Sequence, residues 1–411
     1  MRLIVQKFGG TSLATPRQRS RVVELVRQAV AGGYHPVLVV SAMGRAGDPY
    51  ATDTFIQLAL QIYPDTAPRE MDLLLSCGEI ISAVLVANTL RAAGLDAMAL
   101  AGGQAGIVTD ENFCDARIVR VEPEHLLRHI NQGRLVVVAG FQGATEMGDV
   151  TTLGRGGSDT TAAALAAALG AERLEIYTDV DGVMTADPDV VPEARTLRVM
   201  NYQEIAQMAR EGARVVHPRA VDISMRRGVP VSVRSLAGGS GTLIASPRGE
   251  IRDDRAVTGV THLPGMAQIV VTPGPAGASP RMTLDVFRSL AENGISVDLI
   301  NASPDRQSFI VAQGSADRAA AILQDCGFEV TLRKDCAKVS VVGMGMRGRP
   351  GVMARVVEGL YGAGVGILQT SDSHLTISCL VKQEDLVRAA RALHETFGLS
   401  AEPDESPEDR S

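Results

Sequence analysis

The sequence predicts an α/β protein in which one large domain precedes two small α/β sandwiches. Short apolar strands alternate with helical patterns as far as about residue 235, which argues for one α/β domain around a mixed or parallel sheet. Residues 237–254 then have the Gly, Ser, Pro and Asp content of a connection. Beyond them an internal repeat appears. The stretch from Met282 aligns without a gap on that from Val352, with Leu290 and Leu360, Gly294 and Gly364, and Ser308 and Ser378 all 70 residues apart. Each copy reads β-α-β-β-α-β.

With 411 residues, 45% of them hydrophobic, the chain is long enough for several cores. A net charge of −7 and the absence of Trp exclude the basic, aromatic surface of a nucleic-acid binder. The five Cys are far apart and form no CxxC, so they read as reduced thiols of a cytoplasmic protein rather than a disulfide frame or metal site. The N-terminal apolar stretch is too short for a signal sequence. No apolar run reaches the ~18 residues of a membrane span.

In order along the chain, Leu3–Val5 is a strand running into Lys7-Phe8-Gly9-Gly10. Arg17–Ala31 has apolar residues at helical spacing and is closed by Gly32-Gly33. Pro36–Val40 is the next buried strand and ends on Ser41-Ala42-Met43-Gly44. Two strand ends thus carry small-residue loops at the edge where open α/β sheets bind ligands. Residues 44–68 are irregular, and Arg69–Leu95 is a long helical pattern containing Ser76-Cys77-Gly78-Glu79. Ala97–Leu100, Arg117–Val121 and Leu135–Gly140 are strands, and the Ala- and Leu-rich Thr160–Leu169 is a helix packed closely on something flat. Arg173–Thr178 is a strand opening on Asp179 and Asp181, Tyr202–Gln207 and Ala213–Arg226 are helices, and Pro230–Arg234 closes the first domain.

The most specific motif is Gly154-Arg155-Gly156-Gly157-Ser158-Asp159-Thr160-Thr161. A helix start offers unpaired N–H donors and the positive end of a dipole, and glycines let a ligand approach. Arg155 can grip a carboxylate through two bonds, and Asp159 can position a phosphate, a metal or a basic side chain. Lys7 with Gly9 and Gly10 suits a phosphate chain, although alone the motif is an ordinary turn and it is not a P-loop. Glu79 is a charge inside an apolar helix, beside a Gly78 that costs helix stability and leaves room for a ligand. Thr178 and Asp179 end a strand where a nucleotide could dock. Gly343–Gly348 matches GxGxxG, but Thr272–Ala278 in the first copy does not, so it reads as a loop at a regulatory site. His217, before Pro218, reads as structural. No Ser-His-Asp or HExxH arrangement is present, and no metal site is expected.

Together KFGGTS (7–12), VVSAM (39–43), SCGE (76–79), GFQG (140–143), TTLGRGGSDTTAAALAAALGA (151–171), YTDVDGV (177–183) and TADP (185–188) resemble the aspartate kinases, and with the repeat they cover nearly the whole chain. The resemblance implies an amino-acid-kinase-like α/β/α sandwich over 1–240, a linker over 241–256, ferredoxin-like ACT units over 257–334 and 335–399, and a disordered tail over 400–411. Residues 41–55 and 367–378 are similar to the diaminopimelate-sensitive type. The implied activity is ATP-dependent phosphorylation of the β-carboxylate of L-aspartate, the first step of lysine, diaminopimelate, threonine and methionine biosynthesis.

The family's roles carry over residue by residue. Lys7 sits against the transferring phosphoryl group and Asp159 orders the pocket. Glu79 holds the substrate ammonium, Arg155 its α-carboxylate, and Gly156, Gly157, Ser158, Ser41 and Thr52 face the substrate. Lys7, Phe8, Gly9, Gly10, Thr178, Asp179, Met184, Arg214 and Val215 contact the nucleotide. Arg214 stands where the family often has Lys, and Asp189 where it often has a basic residue. Asn301, Asp305, Met346, Val352, Gln369, Thr370 and Ser371 bind an amino-acid effector: diaminopimelate, lysine or threonine. The cofactor implied is ATP with Mg2+, and the assembly a homodimer through the ACT units.

The chemistry fits these residue types. The nucleophilic carboxylate is already ionised at neutral pH, so no general base is needed. Phosphoryl transfer needs positioning and neutralisation of spread negative charge. The acyl phosphate product calls for a closing lid, for which 44–68 is the candidate. Two other readings remain at this point. One is a kinase for glutamate, uridylate or carbamate, of which the Glu79–Arg155 pair disfavours the last two. The other is a non-catalytic amino-acid sensor, disfavoured by intact Lys7, Arg155 and Asp159.

Overall fold

The computed structural model describes residues 1–213, 215–246, 256–274, 281–346 and 348–401. Arg214, most of the expected linker and nearly all of the expected tail lie outside the described residues. The chain forms two compact units. The first holds residues 1–183, 196–209 and 214–251, and the second holds 184–195, 210–213 and 252–411.

The first unit begins with β1 (Arg2–Phe8), α1 (Pro16–Ala31), β2 (Tyr34–Val40), α2 (Thr52–Ile62), α3 (Pro68–Ala92) and β3 (Ala97–Leu100). Next come β4 (Ile107–Thr109), β5 (Ile118–Val121), α4 (Glu124–Asn131), β6 (Leu135–Ala139), β7 (Gln142–Ala144) and β8 (Val150–Thr152). Then follow α5 (Gly157–Ala168), β9 (Leu174–Thr178), β10 (Val199–Met200), α6 (Tyr202–Arg210), α7 (Pro218–Arg227), β11 (Val231–Ser235) and β12 (Thr242–Ile244). The main sheet has the order β10-β12-β11-β9-β1-β2-β6-β3 and is parallel from β11 to β3. A smaller sheet, β5-β4-β7-β8, stands beside it in sequence and was not foreseen.

Strand alternation builds the layers. Phe8, Leu38 and Val40 pack against Val22 and Val26 of α1 and Val86 and Leu90 of α3. Val39, between them, points the other way, to Gly140 and Ser158 at the start of α5. Ala162–Ala166 of α5 are buried, and their small side chains let this helix lie close on β1 and β2. Helix α1 starts with a capping box between Thr15 and Gln18, with Pro16 in the first turn. Helix α2 falls in the stretch 44–68, which reads as irregular. None of its residues is fully buried.

Helix α3 is long and apolar enough to cross a membrane by length and composition, a property missed in the sequence. Its apolar residues Met71, Leu75, Ala83, Val86 and Leu90 are buried within the unit. Asp72, also buried in α3, accepts from the backbone N–H groups of Cys114 at 2.9 Å and Thr152 at 2.8 Å and from the Thr152 hydroxyl. One carboxylate thereby ties the helix to β8 and to the turn at Cys114.

The second unit contains β13 (Gly259–Thr272), α8 (Met282–Glu292), β14 (Asp298–Ser303), β15 (Arg306–Ala312), α9 (Ala316–Asp325) and β16 (Glu329–Val342). They are followed by α10 (Val352–Gly362), β17 (Gln369–Asp372), β18 (Thr376–Lys382) and α11 (Leu386–Thr396). One antiparallel sheet has the order β14-β15-β13-β16-β18-β17. The two long strands β13 and β16 pair along their length, with register shifts between Leu263 and Gln268. Each therefore serves both repeats. Met266–Thr272 opens the first repeat and pairs with Glu329–Cys336, which closes it. Gly259–Leu263 pairs with Lys338–Val342, which opens the second repeat. The expectation that 335–399 is a self-contained β-α-β-β-α-β unit is thus corrected. Its fourth strand comes from ahead of the first repeat, and no strand follows α11 among the described residues.

Two short segments from the earlier part of the chain belong to this second unit. Ala186 and Val191 join a core with Val260, Val339, Val356 and Leu393. The Thr185 carbonyl accepts from Val260 N–H at 2.7 Å, and its hydroxyl lies 2.9 Å from His394 Nε2. Lys338, buried in β16, forms ion pairs with Glu211 at 2.8 Å and with Asp298. Burial pulls the Lys338 ammonium down, but Glu211 and Asp298 outweigh it and hold its pKa above the usual lysine range. Ser340 Oγ donates to Glu211 Oε2 at 2.9 Å.

Candidate active site

The candidate site lies at the C-terminal ends of β1, β2 and β9 and at the N-terminus of α5. Lys7, next to last in β1, places Nζ 2.8 Å from Asp159 Oδ1, and both side chains are nearly buried. The alignment is that of an ion pair rather than a full hydrogen bond, since Asp159 Oδ1 has no hydrogen-bond partner. Asp159, in the first turn of α5, also accepts from the His217 N–H through Oδ2 at 3.3 Å. Gly156 caps α5 with φ +70°, and a Cβ there would stand 2.3 Å from the His217 ring. A Cβ on Gly157 would stand 2.7 Å from the Phe141 ring. The glycines are thus needed where two loops press on the helix start. His217, read from the sequence as structural only, orients Asp159 through its backbone. The signal was the spacing to a following Pro218, which fixes the first turn of α7.

Glu79 comes to the same edge from α3. Its Oε1 accepts from the Ala42 N–H, in the loop after β2, at 3.0 Å. Its Oε2 is buried without a hydrogen-bond partner. Gly78 makes the approach possible, since a Cβ on it would meet the Ala42 Cβ at 2.8 Å. Burial pushes the Glu79 carboxyl up to about 8, against the lowering effect of the Ala42 N–H. A buried carboxylate with one unpartnered oxygen suits a cationic guest, which would restore its charge. Arg155 stands exposed on the turn before α5. Ser158 is buried behind the turn, Ser41 donates its N–H to the Phe8 carbonyl at 3.2 Å, and Thr52 is the first residue of α2.

The expected nucleotide residues fare unevenly. Phe8 is a core residue whose ring stacks on Tyr177 with centroids 4.9 Å apart, so any contact with a nucleotide would be made by its backbone. The Gly9 N–H donates to the Tyr177 carbonyl at 3.2 Å and is therefore not offered to a phosphate. Gly10 is held by close packing, because a Cβ there would meet the Ala42 carbonyl oxygen at 2.3 Å. Thr178 donates to Asp179, and Asp179 pairs with Arg45 at 2.7 Å. Val215 is half-buried, Met184 belongs to the second unit, and Arg214 is outside the described residues.

In the second unit a cavity of about 500 Å³ is lined by Met346, Arg349, Val352, Asp372, His374 and Ile377. It takes in Met346 and Val352 of the expected effector residues. Thr370 and Ser371, on β17, do not line it, and Asn301 and Asp305 lie on β14 and the turn after it in the first repeat. Gln369 is buried and fully engaged. Its oxygen accepts from Gln268 at 2.9 Å and Ser308 at 2.7 Å, and its nitrogen donates to the Leu299 carbonyl. Its nitrogen also lies 3.4 Å from the Ser308 carbonyl, so its amide links the two repeats.

Residues 2–235 match the family model described as the amino acid kinase family, and residues 331–395 match the ACT domain. The chain is 46% identical over 405 residues to Aspartokinase 1 of Bacillus subtilis (strain 168), covering 97% of this chain and 100% of that one. It is 41% identical to the aspartokinase of Thermus thermophilus, covering 97% and 99%. Among solved structures, E. coli aspartokinase III in complex with aspartate and ADP in the R-state aligns with a TM-score of 0.79 at 26% identity, over 96% of this chain and 100% of that one. The same enzyme with lysine and aspartate in the T-state gives 0.73, also at 26% identity, over 96% and 99%. The chain belongs to the amino acid kinase family and, within it, to the aspartokinases.

Proposed function

We propose that this chain transfers the γ-phosphoryl group of ATP to the β-carboxylate of L-aspartate, giving 4-phospho-L-aspartate, at the β1–β2–β9 edge of the first unit. The observation that carries the site assignment is Glu79: a buried carboxyl with one oxygen unpartnered, beside the Lys7–Asp159 pair of the same sheet edge. Glu79 receives the α-ammonium of aspartate and Arg155 its α-carboxylate. Both ends of the zwitterion are then held, and the side-chain carboxylate is left to attack phosphorus. Its pair of electrons forms the new P–O bond as the bond to ADP breaks. Lys7 neutralises charge on the transferring group, and Asp159 with His217 keeps the lysine in place. Magnesium bound to ATP supplies further neutralisation.

Arg155→Ala is expected to raise the KM for aspartate by at least about tenfold, with ATP affinity nearly unchanged. Hydroxamate trapping of the acyl phosphate measures this, and normal aspartate kinetics in the variant overturn the assignment. A second expectation follows from Glu79. The free enzyme holds this group protonated below about pH 8, whereas the aspartate complex needs it ionised. Binding therefore releases a proton, and affinity rises with pH. Between pH 6 and 7 the KM for aspartate should fall about tenfold, and less steeply as the pH approaches 8. Glu79→Gln should raise KM and flatten the slope, and a flat wild-type profile contradicts the role.

The regulatory reading rests on the ACT fold and the cavity beside Met346 and Val352. An amino-acid effector, either diaminopimelate, lysine or threonine, binds the second unit and favours a less active form, which requires different affinities for the two forms. Activity titrated with each compound tests this, and indifference to all three removes it. The 257–334 and 335–399 units pair in a homodimer. Met353, Val357 and Tyr361, four residues apart along α10, are exposed at 38%, 40% and 84%, as a pairing face would be. Five free cysteines fit a reducing, cytoplasmic setting.

A further inference from the structure

Helix α4 carries two histidines one turn apart, His125 and His129, whose Nε2 atoms face each other at 3.2 Å. The His125 Nδ1 lies 2.8 Å from the backbone carbonyl of Gln104. A carbonyl only accepts, so this nitrogen carries the hydrogen and Nε2 of neutral His125 presents a bare lone pair. That bare nitrogen is directed at the second ring. The His129 Nδ1 is buried without a hydrogen-bond partner among the described residues, so in the metal-free protein His129 Nε2 carries the hydrogen and donates it to the His125 lone pair, the contact a metal ion would replace. The rings meet edge to face, with centroids 4.9 Å apart. Two imidazole nitrogens at metal-bond lengths of about 2.0–2.1 Å and this separation subtend an angle of about 100°, close to tetrahedral.

We infer that His125 and His129 form a two-point chelate for a late first-row divalent ion such as Zn2+, Ni2+ or Cu2+, in a site apart from the kinase chemistry. Imidazole is the donor these ions favour, and the Gln104 carbonyl supplies the outer contact that usually orients a ligating ring. Water completes the coordination, since no third metal-ligating side chain joins the pair among the described residues. Arg128 and Arg134 act on His129 from the same region and oppose a cation, a cost the two imidazole bonds must outweigh. The bound ion pins one turn of α4, a helix of only eight residues, while His125 ties that turn to the Gln104 loop.

The test is titration of the full chain with ZnCl2, and separately NiCl2, in a buffer without chelators. Wild type, His125→Gln and His129→Gln are compared by calorimetry and by thermal melting with and without metal. One strong equivalent is expected in wild type, weakened roughly tenfold or more in each variant, with a metal-induced rise in Tm confined to wild type. Equal metal-free melting temperatures show that the variants are folded. With Cu2+, electron paramagnetic resonance should report two nitrogen ligands in wild type and one fewer in each variant. Binding unchanged by either substitution overturns the inference, as does the absence of binding to wild type.

Discussion

Replacing Lys7 by methionine is expected to lower kcat by about 10²–10³-fold, the usual cost of removing one preorganised group from developing charge. The apolar stem keeps its place at the end of β1, so the sheet should remain intact. What is lost is the cation 2.8 Å from Asp159. The loss is twofold, because the spread charge of the transferring phosphoryl group is no longer neutralised and the Asp159 carboxylate, freed from its partner, repels it. Among the described residues, the His217 N–H remains to hold that carboxylate. Steady-state turnover with aspartate and ATP measures the effect, and an unchanged KM for aspartate would localise it to the phosphoryl side. A kcat within about threefold of wild type would reduce Lys7 to a structural pair with Asp159.

Lys338→Met is expected to destabilise the second unit by about 3–5 kcal/mol, the cost of leaving a buried charge without its partner. Buried Glu211 would lose the Lys338 ammonium while Ser340 Oγ still donates to it, whereas Asp298 is half exposed and can hydrate. The lower-temperature transition in calorimetry should move down by roughly 10 °C, taking a few degrees per kcal/mol for a unit of this size. Adding Glu211→Leu should recover much of the loss, because an apolar pair of similar volume needs no compensation. A single variant that melts like wild type would mean the three charged groups are hydrated in solution.

The parts of the site legible in the sequence are those whose chemistry is local. Lys7 follows a strand, Glu79 breaks an apolar helix face, and Asp159 sits at a helix start after glycines. Each of these carries its reason within a few residues. What was not legible is how Phe8, Gly9 and Gln369 are engaged, because that depends on partners far along the chain. Tyr177 takes the ring of Phe8 and the N–H of Gly9. Gln268, Ser308 and Leu299 engage the amide of Gln369. The repeat itself was visible as a constant offset. Which strand completes which copy was not, because that is decided by the pairing of β13 with β16 across the whole first repeat.

That exchange of strands constrains how the regulatory half can be made and cut. Gly259–Leu263 leaves the ribosome before any of the first repeat, yet its partner Lys338–Val342 is synthesised only after that repeat is finished. The second repeat therefore cannot close until the first has been made. A shorter polypeptide started downstream of residue 263 would carry every helix of both copies and still expose a raw sheet edge along Lys338–Val342, a template for aggregation. An independently expressed regulatory fragment must begin at or before Gly259 to be soluble.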